Sequence, residues 1–322
     1  MPDILVSEDV GGPALSALGG RYEVVVEPEL WRRPDALARR IRGCRALIVR
    51  NQTQVTSGLL AAAEDLEVVG RAGAGLDNVD VEAATAVDVR VCYAPEQNAL
   101  SVAELGMGML LALARRLVPA DRSTRAGYWD RQEHTGIELH GRTLGVIGFG
   151  RIGFLMAMRA RAFGMTVLAH DPFLGPDHVT LVAAGAELVG LEELLGRADA
   201  VTCHLPSTPG TRGLLNAERF GRMKSGALFL NLSRGDVVEE AALIEALEAG
   251  QIGGAGLDVR AAEPPAASPL DRLDNVILTP HIGAFTEEAQ HRVVAAVCRD
   301  IRRVLEGEQP MYAANRPRGS AR

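Results

Sequence analysis

Three side chains in the last third of the chain have the types and settings that anion and proton chemistry needs. Arg234 lies in "NLSRGDVV", after an apolar run and before the helical pattern "EEAALIEALEAG". Glu263 lies in "GLDVRAAEPP", a proline-limited loop after another apolar run. His281 lies in "TPHIGAF", where Pro280 stiffens the chain before it and Gly283 frees it after. A guanidinium offers a carboxylate two parallel hydrogen bonds and a permanent charge. An imidazole trades a proton near neutral pH, typically for a factor of roughly 10²–10⁴ in rate. A carboxylate beside it raises its affinity for that proton and fixes its orientation. Together these suit reversible hydride transfer to a 2-oxo acid, in which the oxygen gains charge as the carbon gains hydride. Singly, each has a plainer use: a histidine after proline caps a turn, and an arginine bridges helix ends. Their order, spacing and loop settings favour the chemical reading.

A second cluster lies upstream. "GFGRIG", Gly148 to Gly153, follows a clean strand pattern and opens a helical one, the context that gives a G-x-G-x-x-G run its meaning. Gly148 permits the tight turn, Gly150 lets backbone amides approach a pyrophosphate, and Gly153 lets helix and strand pack closely. The helix start then favours a dianion. The next strand pattern ends in "HDP", with Asp171 eighteen residues past the last glycine. A carboxylate there accepts from ribose hydroxyls and repels a 2′-phosphate, so the cofactor reads as NAD rather than NADP.

These residues need a scaffold, and the chain spells one out. The runs "DILVSE", "YEVVVEP", "RALIVR", "LEVVGRAG" and "VRVCYAP" read as strands, separated by helical stretches such as "PDALARRIRG" and "TSGLLAAAED". After Pro95 comes a long helix, "NALSVAELGMGMLLALARR". A second series of six strands follows, "TLGVIGFG", "MTVLAHD", "ADAVTCHLP", "GALFLNLS", "GGAGLDV" and "NVILTPHI". Alternation of this kind means parallel sheets covered by helices on both faces. In such a sheet, residues beyond the carboxyl ends of the strands converge on the ligand crevice. The last helix, about 286–307, is long enough to return to the first domain, and the tail "RPRGSAR" reads as loose.

Composition narrows the field further. The 322 residues suffice for two domains. A net charge of −7 argues against nucleic acid. The run "MGMLLALA" is too short for a bilayer, and the start "MPDILVSEDV" lacks a signal peptide's basic region. Four scattered cysteines read as reduced thiols of a cytoplasmic protein, and His134, His140, His178 and His291 lack ligand spacing, so no metal is expected.

"GFGRIG", "HDP", "HLPSTPGTRGLLN", "NLSRGDVV", "GLDV", "EPP" and "TPHIGAFTEEAQ" together resemble the D-isomer-specific 2-hydroxyacid dehydrogenases over nearly the whole chain. The resemblance implies an α/β protein of two Rossmann-like domains, each a parallel sheet flanked by helices, with a cleft between them. The NAD-binding domain would span 98–286. The substrate domain would combine 1–97 with 287–322. It implies Arg234 as substrate anchor, His281 as acid/base and Glu263 as its partner. Arg151, Ile152, His204, Pro206, Thr211, Leu232, Asp258 and Gly283 would join the glycines and Asp171 around NAD. Arg50, Arg71 and Arg131 would bind a phosphorylated end of a small anionic 2-hydroxy or 2-oxo acid. The backbone of Gly73, Ala74 and Gly75 would cradle its carboxylate. Arg131 would reach across from a partner subunit of a homodimer.

Three departures bear on the substrate. Phe285 stands where a small serine is usual, Arg260 where an aromatic is usual, and Asp236 where a glycine is usual. They could reshape the pocket for another anionic acid, such as a sulfonate or dicarboxylate. Other 2-oxo-acid reductases of the family remain alternatives, as does an NAD-sensing, corepressor-like binding protein of the same fold.

Overall fold

The computed structural model describes residues 2–317, so most of the tail "RPRGSAR" lies outside the described residues. The chain divides into two compact units. One holds the residues up to Asn98 together with those from Ala284 onward, the other Ala99–Gly283.

In the first unit the order is β1 (Ile4–Val6), α1 (Pro13–Gly19), β2 (Val24–Val26), α2 (Pro34–Arg40), β3 (Ala46–Val49), α3 (Ser57–Ala61), β4 (Val68–Arg71), α4 (Val81–Ala86) and β5 (Arg90–Tyr93). The strands form one parallel sheet, ordered β2-β1-β3-β4-β5. Successive side chains of a strand point to opposite faces, and both faces here are apolar. Leu5, Leu47, Val49 and Val69 pack with Leu37, Leu59 and Leu60 of α2 and α3 on one face. Ile4, Val6, Ile48 and Val68 look the other way.

The second unit opens with α5 (Ala99–Ala114) and α6 (Leu117–Arg125). It continues through β6 (Thr143–Ile147), α7 (Arg151–Ala162), β7 (Thr166–His170), α8 (Val179–Ala184), β8 (Ala186–Leu188), α9 (Leu191–Arg197) and β9 (Ala200–Cys203). Then come α10 (Ala217–Arg222), β10 (Ala227–Asn231), α11 (Glu240–Glu248), β11 (Ile252–Leu257) and β12 (Val276–Leu278). The parallel sheet runs β12-β11-β10-β9-β6-β7-β8. It has seven strands rather than six. The extra one, β8, is a three-residue edge strand carrying Glu187 and pairing only with β7. On β10, Leu228 and Leu230 pack under α5 and α7, while Phe229 meets Phe220 of α10 edge-to-face at 5.4 Å. The methionines of α5, Met107 and Met109, are core residues of this unit.

Register places the site. Ile147 pairs with Cys203, Cys203 with Asn231, Asn231 with Leu257, and Leu257 with Leu278. Five strand ends therefore stand level, and the loops after them emerge along one edge. The order reverses at β6, whose neighbours are β7 and β9, the usual position of the ligand crevice in such sheets.

Finally α12 (Glu287–Leu305) returns to the first unit. Thr286 caps it by accepting from the Ala289 amide at 3.2 Å, with Glu287 and Glu288 in the first turn and Arg302 and Arg303 in the last. Its Val293, Val297 and Ile301 cover the face of Ile4, Val6, Ile48 and Val68. The approach is close: a Cβ on Gly70 of β4 would lie 2.5 Å from Ile301 and 2.6 Å from Val297.

Candidate active site

Along the level edge of the second unit, the loop after β6 is the glycine run. Gly148 has φ +85°, and a Cβ there would lie 2.8 Å from the His204 carbonyl. A Cβ on Gly153 would lie 2.3 Å from the Gly148 carbonyl, so the glycine is what lets α7 sit on its strand. Gly150 has no side chain to cap α7, which leaves first-turn amides available to an anion. Asp171, just past β7, accepts from the Phe149 amide at 2.9 Å and the Phe173 amide at 3.0 Å. The acidic residue thus also ties the glycine loop to the exit of β7.

After β9 comes His204. Its Nε2 meets Thr202 Oγ1 at 3.0 Å, while Nδ1 is buried without a protein partner. Burial pushes its pKa down to about 4, so the ring is neutral at pH 7 and has one nitrogen to offer a ligand. Further along this loop Thr211 donates its hydroxyl to the Pro206 carbonyl at 2.6 Å, closing the turn between them. The glycine cradle, the uncapped helix start and this orphaned nitrogen suit a dinucleotide diphosphate.

After β10, buried Asn231 shapes the turn that presents Arg234. Its amide donates to the Arg234 carbonyl at 2.9 Å, and its Oδ1 accepts from the Ser233 hydroxyl at 2.9 Å and amide at 3.1 Å. The Arg234 Nη1 donates to the Ser233 carbonyl at 2.7 Å. Leu232, between them, is buried in the core beneath.

After β11, Asp258 is 2% exposed and works as a clamp. Its Oδ1 accepts from Thr279 Oγ1 at 2.6 Å and the Ile282 amide at 2.8 Å, and its Oδ2 accepts from the Gly283 amide at 2.8 Å. The turn after β12 is thereby fixed with His281 at φ +55°, a left-handed conformation uncommon for such a residue. A Cβ on Gly283 would lie 2.9 Å from Asp258 Oδ2, so glycine is needed there.

His281 Nδ1 lies 2.7 Å from Glu263 Oε2. Facing a carboxylate, Nδ1 carries the proton and donates, which leaves Nε2 for exchange with a ligand. Burial of Glu263 works to raise its pKa. The hydrogen bond and charge of His281, the Arg260 amide and the charge of Arg234 outweigh burial and hold it below the usual 4.5. Glu263 stays ionised at neutral pH. The sequence-selected Arg234, Glu263 and His281 are thus linked electrostatically on neighbouring loops.

Two departures turn out to be structural. Arg260 has a side chain only 8% exposed, and its Nε and Nη2 donate to the two oxygens of Glu240 at 2.9 and 2.7 Å. Asp271 lies 3.6 Å away on its other side. Asp236 accepts from Ser207 Oγ at 2.5 Å and from Arg212 Nε at 3.2 Å. The charges expected to reshape a substrate pocket are consumed by these partners. Sequence reasoning missed Asn231, Gly235 and the clamping role of Asp258; an asparagine and a glycine flanking "LSR" were the only signals. Arg131 stands exposed in the loop after α6, near exposed Tyr128 and Trp129.

In the first unit, Arg50 follows β3 and Arg71 ends β4. The Arg71 guanidinium crosses the loop so closely that a Cβ on Gly73 would lie 1.5 Å from its Nη1. Ala74 and Gly75 continue that loop. Two residues not singled out in the sequence knit the loops together. Buried Glu8 accepts from the amides of Arg50, Gln52 and Thr53 at 2.7, 3.1 and 2.9 Å. Asn78 donates to the carbonyls of Arg50 and Thr53 at 2.9 and 2.7 Å.

The second unit is therefore a nicotinamide-dinucleotide-binding α/β fold with an arginine and a histidine–glutamate pair at its strand ends. The family model for the D-isomer specific 2-hydroxyacid dehydrogenase NAD-binding domain matches residues 107–283. A curated D-3-phosphoglycerate dehydrogenase of Methanocaldococcus jannaschii is 45% identical over 318 residues, 98% of this chain and 60% of that one. Its counterpart in Mycobacterium tuberculosis strain H37Rv is 44% identical over 317 residues, 98% and 59% of the two chains. The chain spans about 60% of the length of these relatives. Among solved structures, the TT0316 protein of Thermus thermophilus superposes with a TM-score of 0.91 at 38% identity, covering 97% of this chain and 99% of that one. A D-lactate dehydrogenase of Aquifex aeolicus complexed with NAD and lactic acid gives 0.81 at 28%, covering 95% and 96%. The chain belongs to the D-isomer specific 2-hydroxyacid dehydrogenases, and its cofactor is NAD.

Proposed function

We propose that the chain interconverts a D-2-hydroxy acid and its 2-oxo acid with NAD, and that the pair is 3-phosphoglycerate and 3-phosphohydroxypyruvate. The observation that carries the chemistry is the 2.7 Å contact between His281 Nδ1 and an ionised Glu263. Bound NAD supplies hydride exchange at the substrate's C2. Arg234 pairs with the substrate carboxylate and sets the C2 oxygen toward His281. His281 Nε2 gives that oxygen its proton on reduction and takes it back on oxidation. Glu263 accepts from the other nitrogen and so fixes the ring's tautomer and orientation. The names of the most similar curated relatives and the arginines Arg50 and Arg71 support the phosphorylated substrate. With it go a role in serine biosynthesis, a cytoplasmic setting and a homodimer in which Arg131 serves the neighbouring subunit. The first unit serves as the substrate domain and the second as the NAD domain.

The test is oxidation of NADH, followed by absorbance, with 3-phosphohydroxypyruvate against hydroxypyruvate, glyoxylate and sulfopyruvate. The proposal expects strong preference for the phosphorylated acid, lost in Arg131→Ala. Preference for another acid overturns the substrate. Tight NADH binding without turnover of any acid overturns the enzyme and favours the sensor reading.

A further inference from the structure

We infer that Phe285 is a specificity-determining residue, its ring the platform that orients the Arg50 guanidinium toward the anionic end of a substrate. The inference rests on the dehydrogenase reading above and adds to it a residue that acts through Arg50.

The backbone of Arg50 is fixed from both sides, its amide by Glu8 and its carbonyl by Asn78. Its side chain is mounted differently. The guanidinium carbon lies 4.6 Å from the centroid of the Phe285 ring, and Nη1 reaches the Asp9 carbonyl at a long 3.4 Å. Among the described residues Arg50 forms no salt bridge, and the Glu8 carboxylate is taken up by three backbone amides, that of Arg50 among them. Desolvation lowers its proton affinity, opposed by the charges of Glu8 and Asp9, and the group remains a cation.

A guanidinium stacked on a ring keeps its N–H bonds in its own plane, so stacking occupies a face and leaves the donor edges for an anion. The backbone that carries the ring is fixed on both sides. Gln290 Nε2 holds the Ala284 carbonyl at 2.6 Å on one side, and Thr286 caps α12 on the other. Phe285 is 55% exposed, so it is not packed as core. A serine at this position provides no stack. Phe285 thus adds a second hold to a guanidinium otherwise restrained only by the long bond to the Asp9 carbonyl, which favours compact, multiply charged groups over neutral ones.

The test compares Phe285→Leu, which removes the π-face, with Phe285→Tyr, which restores it. For 3-phosphohydroxypyruvate, KM is expected to rise about 3- to 10-fold in Phe285→Leu with kcat held, and to return in Phe285→Tyr. KM for glyoxylate should not move. A second readout needs no turnover: the Arg50 Nε–H resonance should carry a ring-current shift that Phe285→Leu abolishes. Inorganic phosphate should perturb that resonance at lower concentration in wild type than in Phe285→Leu. Equal KM changes for both acids, or equal effects of Leu and Tyr, overturn the inference while leaving the dehydrogenase standing. Absence of turnover with every acid overturns the dehydrogenase reading instead, and the phosphate titration then decides for or against the Arg50 platform. Unaltered thermal unfolding in both variants separates these effects from misfolding.

Discussion

Replacing Gly235 by alanine sets a methyl carbon 1.9 Å from the Arg260 carbonyl oxygen, 2.0 Å from its carbon and 2.5 Å from the Ala261 nitrogen. Ordinary contact begins at 3.4 Å, so the oxygen must recede by about 1.5 Å. The obstacle is backbone, and it cannot swing aside like a side-chain tip. Its owner is pinned, because Arg260 is bidentate to Glu240 and its amide reaches Glu263 Oε1 at 3.3 Å. Strain at Gly235 therefore passes along the loop to Glu263. The Glu263–His281 bond at 2.7 Å has about 0.8 Å of slack before it ceases to be a hydrogen bond. A displacement of twice that breaks the pair. Gly235→Ala is expected to lower kcat/KM about 10²-fold through misplacement and to cost about 1–3 kcal/mol of stability through overpacking. Steady-state kinetics and urea unfolding measure the two. Wild-type kcat/KM together with a wild-type midpoint would refute the idea that this close passage positions the glutamate.

Asp171→Ala should cut the preference for NADH over NADPH at least about tenfold, read as a ratio of dissociation constants; an unchanged ratio sinks the role assigned to that carboxylate. His204 gives a pH prediction. Its pKa is about 4 when folded and 6.5 as the ordinary value, so the unfolded chain takes up the proton first as pH falls. Its contribution to stability is complete above 6.5, declines as pH drops toward 4, and amounts to a loss of about 2 kcal/mol by pH 5. His204→Gln should flatten urea midpoints between pH 7 and pH 5, and an unaltered slope would show that the histidine is solvated when folded.

Most strands were legible because parallel strands buried on both faces read as unbroken apolar runs, as in "ALFLN" of β10. The short edge strand β8 was not, since "AEL" has one polar residue in three and its flanking side chains are only partly buried. Arg234, Glu263 and His281 were legible because each follows a strand and is punctuated by glycine or proline. What holds them was not. Asp258 grips a turn more than twenty residues away, and Glu240 meets Arg260 across a comparable gap. Local pattern says nothing of such pairings, so Arg260 read as a spare cation when it is a spent one. Glu8 was hidden for the same reason, its three amides lying more than forty residues along the chain.

The return of α12 to the first sheet sets an order of events during synthesis. The second unit is contiguous, Ala99–Gly283, and can close its core as soon as it has emerged. The first sheet is complete at Tyr93, yet the helix that covers Ile4, Val6, Ile48 and Val68 ends only at Leu305. At 5–20 residues per second, that apolar face waits about 10–40 s on the ribosome before its cover arrives. The half of the molecule made first is thus the half finished last. Slowing translation between β5 and α12 lengthens that exposure, and with it the dependence of the nascent chain on chaperones.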